Sequence, residues 1–199
     1  MGNTILGSQV FESKIAFGSV IKSCHREETL LNGRKVVVVD TPGFVNTGCP
    51  KLETSTEVSK CVTFCSPGLH VILQVISIGR FTQEEKDVAQ LISKTFSLKA
   101  KNYIILLFTQ EEDLEGTSLE RFMREEPSLW AQASQCGFRY LAFNNKAPGE
   151  EREAQVVQLM TMIDELVEKN KGAPCYTEDM MKSDHETLMT NYSWLCSLF

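Results

Sequence analysis

No apolar run in the 199 residues approaches the ~18 needed to cross a bilayer. No signal-peptide pattern opens the sequence, so a cytoplasmic location is expected. Internal repeats and low-complexity tracts are absent too, and nothing argues for a second core. Positive charge is not in excess: the net charge is -6, which tells against a nucleic-acid surface. Seven cysteines are present, but no C-x-x-C pair, which excludes the usual structural zinc spacing. Scattered and odd in number, they are expected to be reduced thiols. Apolar content of 42% and charged content of 23% are ordinary for a globular domain with a full core.

The most informative stretch present is Lys35-Val36-Val37-Val38-Val39-Asp40-Thr41-Pro42-Gly43-Phe44. Four β-branched residues in a row predict a strand buried on both faces. It ends in Asp-Thr-Pro-Gly, where Pro-Gly forces a turn. In open α/β sheets ligands bind beyond the carboxyl ends of the strands. A carboxylate at that edge suits the hydration shell of magnesium, and a glycine amide can approach a phosphate.

Taken in order, Gly2 to Gly7 predicts the last turns of a helix stopped by glycine. Val10 to Arg26 is poorly periodic and predicts a loop. Thr29 to Asn32, Gly33 and the valine run predict a hairpin-like strand pair. A helix is expected from about Thr54 to Cys65, a second buried strand at His70–Ile76, and a helix capped by Thr82. Tyr103–Phe108 predicts a third buried strand ending in the polar turn Thr109–Asp113. Ser118 caps a helix interrupted near Pro127, Arg139–Phe143 is a short strand, and Val156 to Val167 is the apolar stripe of a long helix. Thr177 to Phe199 predicts a short helix and a tail. Strands alternating with helices give an α/β domain with a mostly parallel sheet. Asp40, Asp113 and Asn144 then gather along one sheet edge.

On these residues the chain resembles the GIMAP family, the GTPases of immunity-associated proteins. The motifs are Gly2-Asn3-Thr4-Ile5-Leu6-Gly7, Val10-Phe11-Glu12-Ser13, Asp40-Thr41-Pro42-Gly43, Ser66-Pro67-Gly68-Leu69-His70-Val71, Ile78-Gly79-Arg80-Phe81-Thr82, Phe108-Thr109-x-x-x-Asp113-Leu114-x-Gly116 and Ala142-Phe143-Asn144-Asn145-Lys146-Ala147. The resemblance implies a Ras-like P-loop NTPase sheet binding GTP or GDP with magnesium, and a switch or assembly role in lymphocytes. It places an incomplete G domain at 1–175 and a C-terminal helix or tail at 176–199. By the match Asp113 accepts the guanine N1 and N2 protons, within a base loop of Gln110, Glu111, Glu112 and Asp113. Asn144 lies beside the base. Ser13 opens switch I, and Asp40, Thr41, Pro42 and Gly43 face magnesium and the phosphates. Asp40 would hold the metal through water. Arg80 is either an arginine finger given across a dimer or a surface arginine beside a helix.

Three departures accompany the matches. The family's G-x-x-G-x-G-K-S, expected just ahead of Gly2-Asn3, does not occur, and with it go the phosphate-binding amides, lysine and serine. The switch I threonine falls on Ile21, which offers no oxygen. The base-loop lysine falls on Glu111. The family's first, central strand would also be lacking, leaving two strand edges unpaired. A truncated product is expected, from an internal start, a splice form or a gene model without its first coding exon.

Two sequence candidates stand apart from the nucleotide. Cys196-Ser197-Leu198-Phe199 fits C-a-a-X and would allow prenylation at Cys196, with weak membrane association; a chance tail is the other reading. His70 has no catalytic partner in the sequence. The expected function is a GIMAP-type guanine-nucleotide-binding protein whose nucleotide binding is impaired and whose GTPase activity is lost. The alternatives are a non-catalytic module that pairs with intact GIMAP-type G domains as a homo- or heterodimer, and a chain that does not fold on its own.

Overall fold

The computed structural model describes residues 1–11, 24–41, 60–79 and 99–183. Its heart is a parallel three-stranded sheet of β3 (Ile72–Ser77), β4 (Ile104–Thr109) and β5 (Tyr140–Phe143), in the order β3-β4-β5. β4 is central, which explains why it is apolar at nearly every position. Ile104, Leu106 and Phe108 face one side, packed with Met123, Leu129, Ala133 and Tyr176. Ile105 and Leu107 face the other, packed with Leu141, Phe143, Leu159, Ile163 and Leu166. Alternation on a strand buried from both sides reads as a continuous run.

The helices form where the sequence predicts. Ser118 caps α2 (Leu119–Glu125), its hydroxyl accepting from the Arg121 N–H at 3.2 Å. Pro127 opens α3 (Pro127–Gln135), where a missing N–H costs nothing. α4 (Gly149–Lys169) buries Val156, Leu159, Ile163 and Leu166 at helical spacing. α1 (Gly2–Leu6) ends at Gly7 with φ 70°, a left-handed cap that suits glycine. Residues 60–64 and 178–183 are helical as well. The expected helix at Thr82 and the start of the one at Thr54 fall outside the described residues.

A second sheet is the antiparallel ribbon of β1 (His25–Leu31) and β2 (Arg34–Asp40). Asn32 and Gly33, at φ 50° and 79°, form the two-residue turn, so Leu31 pairs with Arg34 and His25 with Asp40. The pair is longer than the predicted one, and its first strand begins inside the predicted Val10–Arg26 loop. The valine strand also departs from expectation. It is not buried on both faces, and Val37 is 37% exposed. A two-stranded ribbon cannot cover both faces of its own strands, so the run reflects β-propensity more than burial. Among the described residues no ladder joins β2 to β3. That is where the resemblance expects an absent strand. Instead, Leu31 and Val38 of the ribbon and Val71 and Leu73 near β3 share one apolar cluster with Ile5 of α1. Arg34 also pairs with Asp164 of α4.

The reduced-thiol expectation is corrected at one pair: Cys24 and Cys61 form a disulfide. They are 37 positions apart in sequence, and only the docking of β1 against the helical turn at 60–64 brings them together. Among the described residues Cys65, Cys136 and Cys175 are thiols.

Candidate nucleotide-base site

Parallel strands put their carboxyl ends on one edge, and register puts Ser77, Thr109 and Phe143 level there. The loop after β4 is a tight 3-10 turn, Glu111–Leu114. Gln110 enters it in the left-handed region at φ 64°. Such a conformation in a non-glycine residue needs support from its surroundings. Here Ser77 donates its hydroxyl to the Gln110 side-chain carbonyl. The Gln110 amide in turn donates to Asp113 Oδ2 at 3.1 Å, and the Asp113 N–H donates to the Gln110 carbonyl at 2.9 Å. The loop therefore holds an exposed Asp113 carboxylate in a set orientation at the sheet edge. Gly79, at φ 85°, follows β3 beside it; a Cβ there would sit 3.9 Å from Asp113 Oδ2.

The loop after β5 is built around Asn144. Its side-chain oxygen accepts from the Lys146 N–H at 2.9 Å, an Asx turn. Its own N–H donates to Gln155 Oε1 at 2.8 Å, which fastens the loop to α4. Thr4 of α1 donates to Asn145 Oδ1 at 2.8 Å. Lys146 Nζ lies 3.0 Å from Glu112 Oε1 and bridges the two loops. The structure thus brings Gln110, Glu111, Glu112, Asp113 and Asn144 into one neighbourhood.

Electrostatics there are acidic. The backbone N–H of Glu112 itself, then the hydrogen bond from Lys146, hold the Glu112 carboxyl below its ordinary value, and Glu112 raises Lys146. Burial pushes Glu111 up, with further help from Glu151 and Glu112. A lowered Glu112 stabilises the fold fully above the ordinary glutamate pKa of about 4.3. That contribution is lost as pH falls through the lowered folded value. Lys146→Ala is expected to move the Glu112 titration back up, read by NMR of the side-chain carboxyl carbon. Both groups are exposed, so the effect on global stability is small.

Asp40 ends β2 and Thr41 follows it, on a ribbon that shares no ladder with β3, β4 or β5 among the described residues. Burial raises the Asp40 carboxyl, opposed by the Met1 α-amino group, the Thr41 N–H and His25. Among the described residues no three His, Cys, Asp or Glu side chains converge on a metal position. One half-buried carboxylate fits magnesium only as a single partner through water, with phosphate oxygens and waters supplying the rest. Ser13, Pro42, Gly43, Arg80 and Cys196 lie outside the described residues. Ser77, Gln155 and Thr4 were missed as supports for the loops. They sit on three different elements, and no local pattern links them.

A model described as the AIG1 family matches residues 1–193. The chain belongs to the AIG1 family. This AIG1 chain is 36% identical over 172 residues to human "GTPase IMAP family member 8", covering 86% of the chain and 26% of that protein. It is 31% identical over 186 residues to "Immune-associated nucleotide-binding protein 1" of Arabidopsis thaliana, covering 90% and 82%. The chain spans about a quarter of the length of its mammalian relatives. Among solved structures it resembles Toc33 from Arabidopsis thaliana in complex with GDP and Mg2+, at 17% identity and a TM-score of 0.63, covering 83% of this chain and 76% of that one. At that identity the likeness establishes the fold alone, a Ras-like α/β sheet. No helix among the described residues is long and apolar enough to cross a membrane.

Proposed function

We propose that this chain carries the base-recognition edge of a GIMAP-type guanine-nucleotide-binding domain, an immune-cell switch or assembly module, and holds nucleotide poorly by itself. The observation that carries this reading is the neighbourhood of Asp113 and Asn144, locked by Gln110 and by the Glu112–Lys146 pair. A carboxylate held at that edge suits the two adjacent N–H donors of guanine. Adenine, which has no N1 proton, does not satisfy it. The names of the relatives, GTPase and nucleotide-binding protein, support the same class.

The impairment rests on chemistry within the 199 residues. None of them forms G-x-x-G-x-G-K-S, the motif whose lysine and backbone amides cradle the phosphates. Glu111 adds negative charge where the resemblance expects a lysine along the purine. GTP hydrolysis by the chain alone is accordingly absent. Titration of the purified chain with fluorescent GDP in magnesium buffer tests this. Binding weaker than micromolar is expected, and Glu111→Lys should tighten it by about tenfold, worth ~1.4 kcal/mol. Asp113→Ala should erase any preference for GDP over ADP. Micromolar or tighter binding by the unaltered chain would overturn the impairment.

A second reading is a module that pairs with an intact GIMAP-type G domain. Its support is the description of one structural neighbour, in which dimerization is important for the GTPase activity of chloroplast translocon components. Sedimentation of the chain mixed with an intact family member would show a heterodimer if this holds.

A further inference from the structure

The ribbon carries Asp40 but shares no ladder with β3, β4 and β5 among the described residues. One covalent tie reaches it. Cys24, at the mouth of β1, is bonded to Cys61 in the helical turn at 60–64, with Cα atoms 6.4 Å apart. That turn is set in the core through Val62. The loop closed by the bond contains all of β1 and β2, with Asp40 and Thr41. Arg26 lies two residues past Cys24, and Cys65 lies one turn past Cys61. Burial raises the Cys65 thiol, and the Arg26 guanidinium opposes that shift.

The two bonded cysteines differ in access: Cys24 is half-buried and Cys61 is buried. Cys136 and Cys175, both buried thiols, are pushed up by burial and are poor nucleophiles. We propose that Cys24 and Cys61 form a reversible redox latch that fastens the β1–β2 ribbon, and with it Asp40, to the core. The co-reactant is a small-molecule disulfide such as glutathione disulfide. The Cys24 thiolate attacks one of its sulfurs, forming a mixed disulfide and releasing one glutathione thiolate. The Cys61 thiolate then attacks the Cys24 sulfur, forming the protein disulfide and releasing the second. Two protein thiols are oxidised and one glutathione disulfide is reduced, and the two protons given up by Cys24 and Cys61 pass through solvent to the two released glutathione thiolates. Excess glutathione runs the sequence backwards.

The test equilibrates the full chain in glutathione buffers from reducing to oxidising, then quenches with acid, alkylates the free thiols and maps peptides by mass. A Cys24–Cys61 cross-link should dominate in oxidising buffer and disappear in reducing buffer. Amide hydrogen exchange in β1 and β2 should be about tenfold faster, or more, in the reduced chain, while β4 is unchanged. Cys65→Ser should leave both results intact, and Cys24→Ser should exchange like the reduced chain. If Cys24→Ser does not fold, the reduced native chain supplies the same comparison. The latch is overturned by a cross-link that never forms, that survives every ratio, or that joins Cys61 to another cysteine. Equal exchange in the two states overturns it as well. None of these readouts depends on nucleotide.

Discussion

Phe108→Ala is expected to lower the free energy of unfolding by about 3–5 kcal/mol, measured from the urea midpoint. Phe108 is fully buried on the central strand, and its ring meets Phe122 edge-on at 6.4 Å. It also closes the cluster that holds α2 and α3 on the sheet, with Met123 and Leu129. A domain of this size has ~5–15 kcal/mol in hand, so the variant is near the limit of folding. The loss should also reach the base loop, since Thr109 and Gln110 follow Phe108 directly. Leu30→Ala is the matched control. Leu30 is 71% exposed on the ribbon, and its truncation should stay within about 0.5 kcal/mol.

The contrast between these two residues explains what could be read from the sequence. Tyr103–Phe108 and the stripe from Val156 to Leu166 are legible because burial itself writes the pattern. Asn32-Gly33 is legible because the turn demands two positive φ angles. The valine run misled on burial because β-branching favours any strand, covered or not. The Cys24–Cys61 bond was invisible because nothing local marks a partner 37 positions away.

At the site, the resemblance singled out Asp113 and Asn144, and the structure sets them on neighbouring loops. It could not supply Ser77 and Gln155, whose side chains fix those loops from other elements. Asp40 shows a further limit. A motif gives the residue, but only packing shows that its carboxyl is raised by burial. Its ionised form therefore costs stability as pH rises through the ordinary aspartate range toward the raised folded value.

Gly68→Ala is expected to cost about 3 kcal/mol, nearly as much as the loss of Phe108, although it adds only one methyl group. Gly68 lies in the family's Ser66-Pro67-Gly68-Leu69-His70-Val71 box. A Cβ there would stand 2.5 Å from the Tyr176 carbonyl oxygen and 3.0 Å from Cys175 Cβ. The closest obstacle is backbone, so no side chain can swing aside. The two segments must separate, and overpacking of this kind costs about 1–3 kcal/mol. Separation also strains the bridge in which the Leu69 N–H donates to the Tyr176 carbonyl at 3.0 Å and the Tyr176 N–H donates to the Leu69 carbonyl at 2.8 Å. Each bond is worth about 1 kcal/mol net. The damage would spread to Tyr176, which is fully buried and packs against Tyr103 with ring centroids 5.7 Å apart. Gly172→Ala separates this cause from a general intolerance of alanine. That glycine has open space around its Cβ position, so its replacement should be neutral or slightly stabilising in the same urea titration. If Gly68→Ala unfolds with the native midpoint, the close approach of the box to Cys175 and Tyr176 is not what requires glycine there. If the midpoint falls as expected, the box pins the start of β3 to the segment after α4.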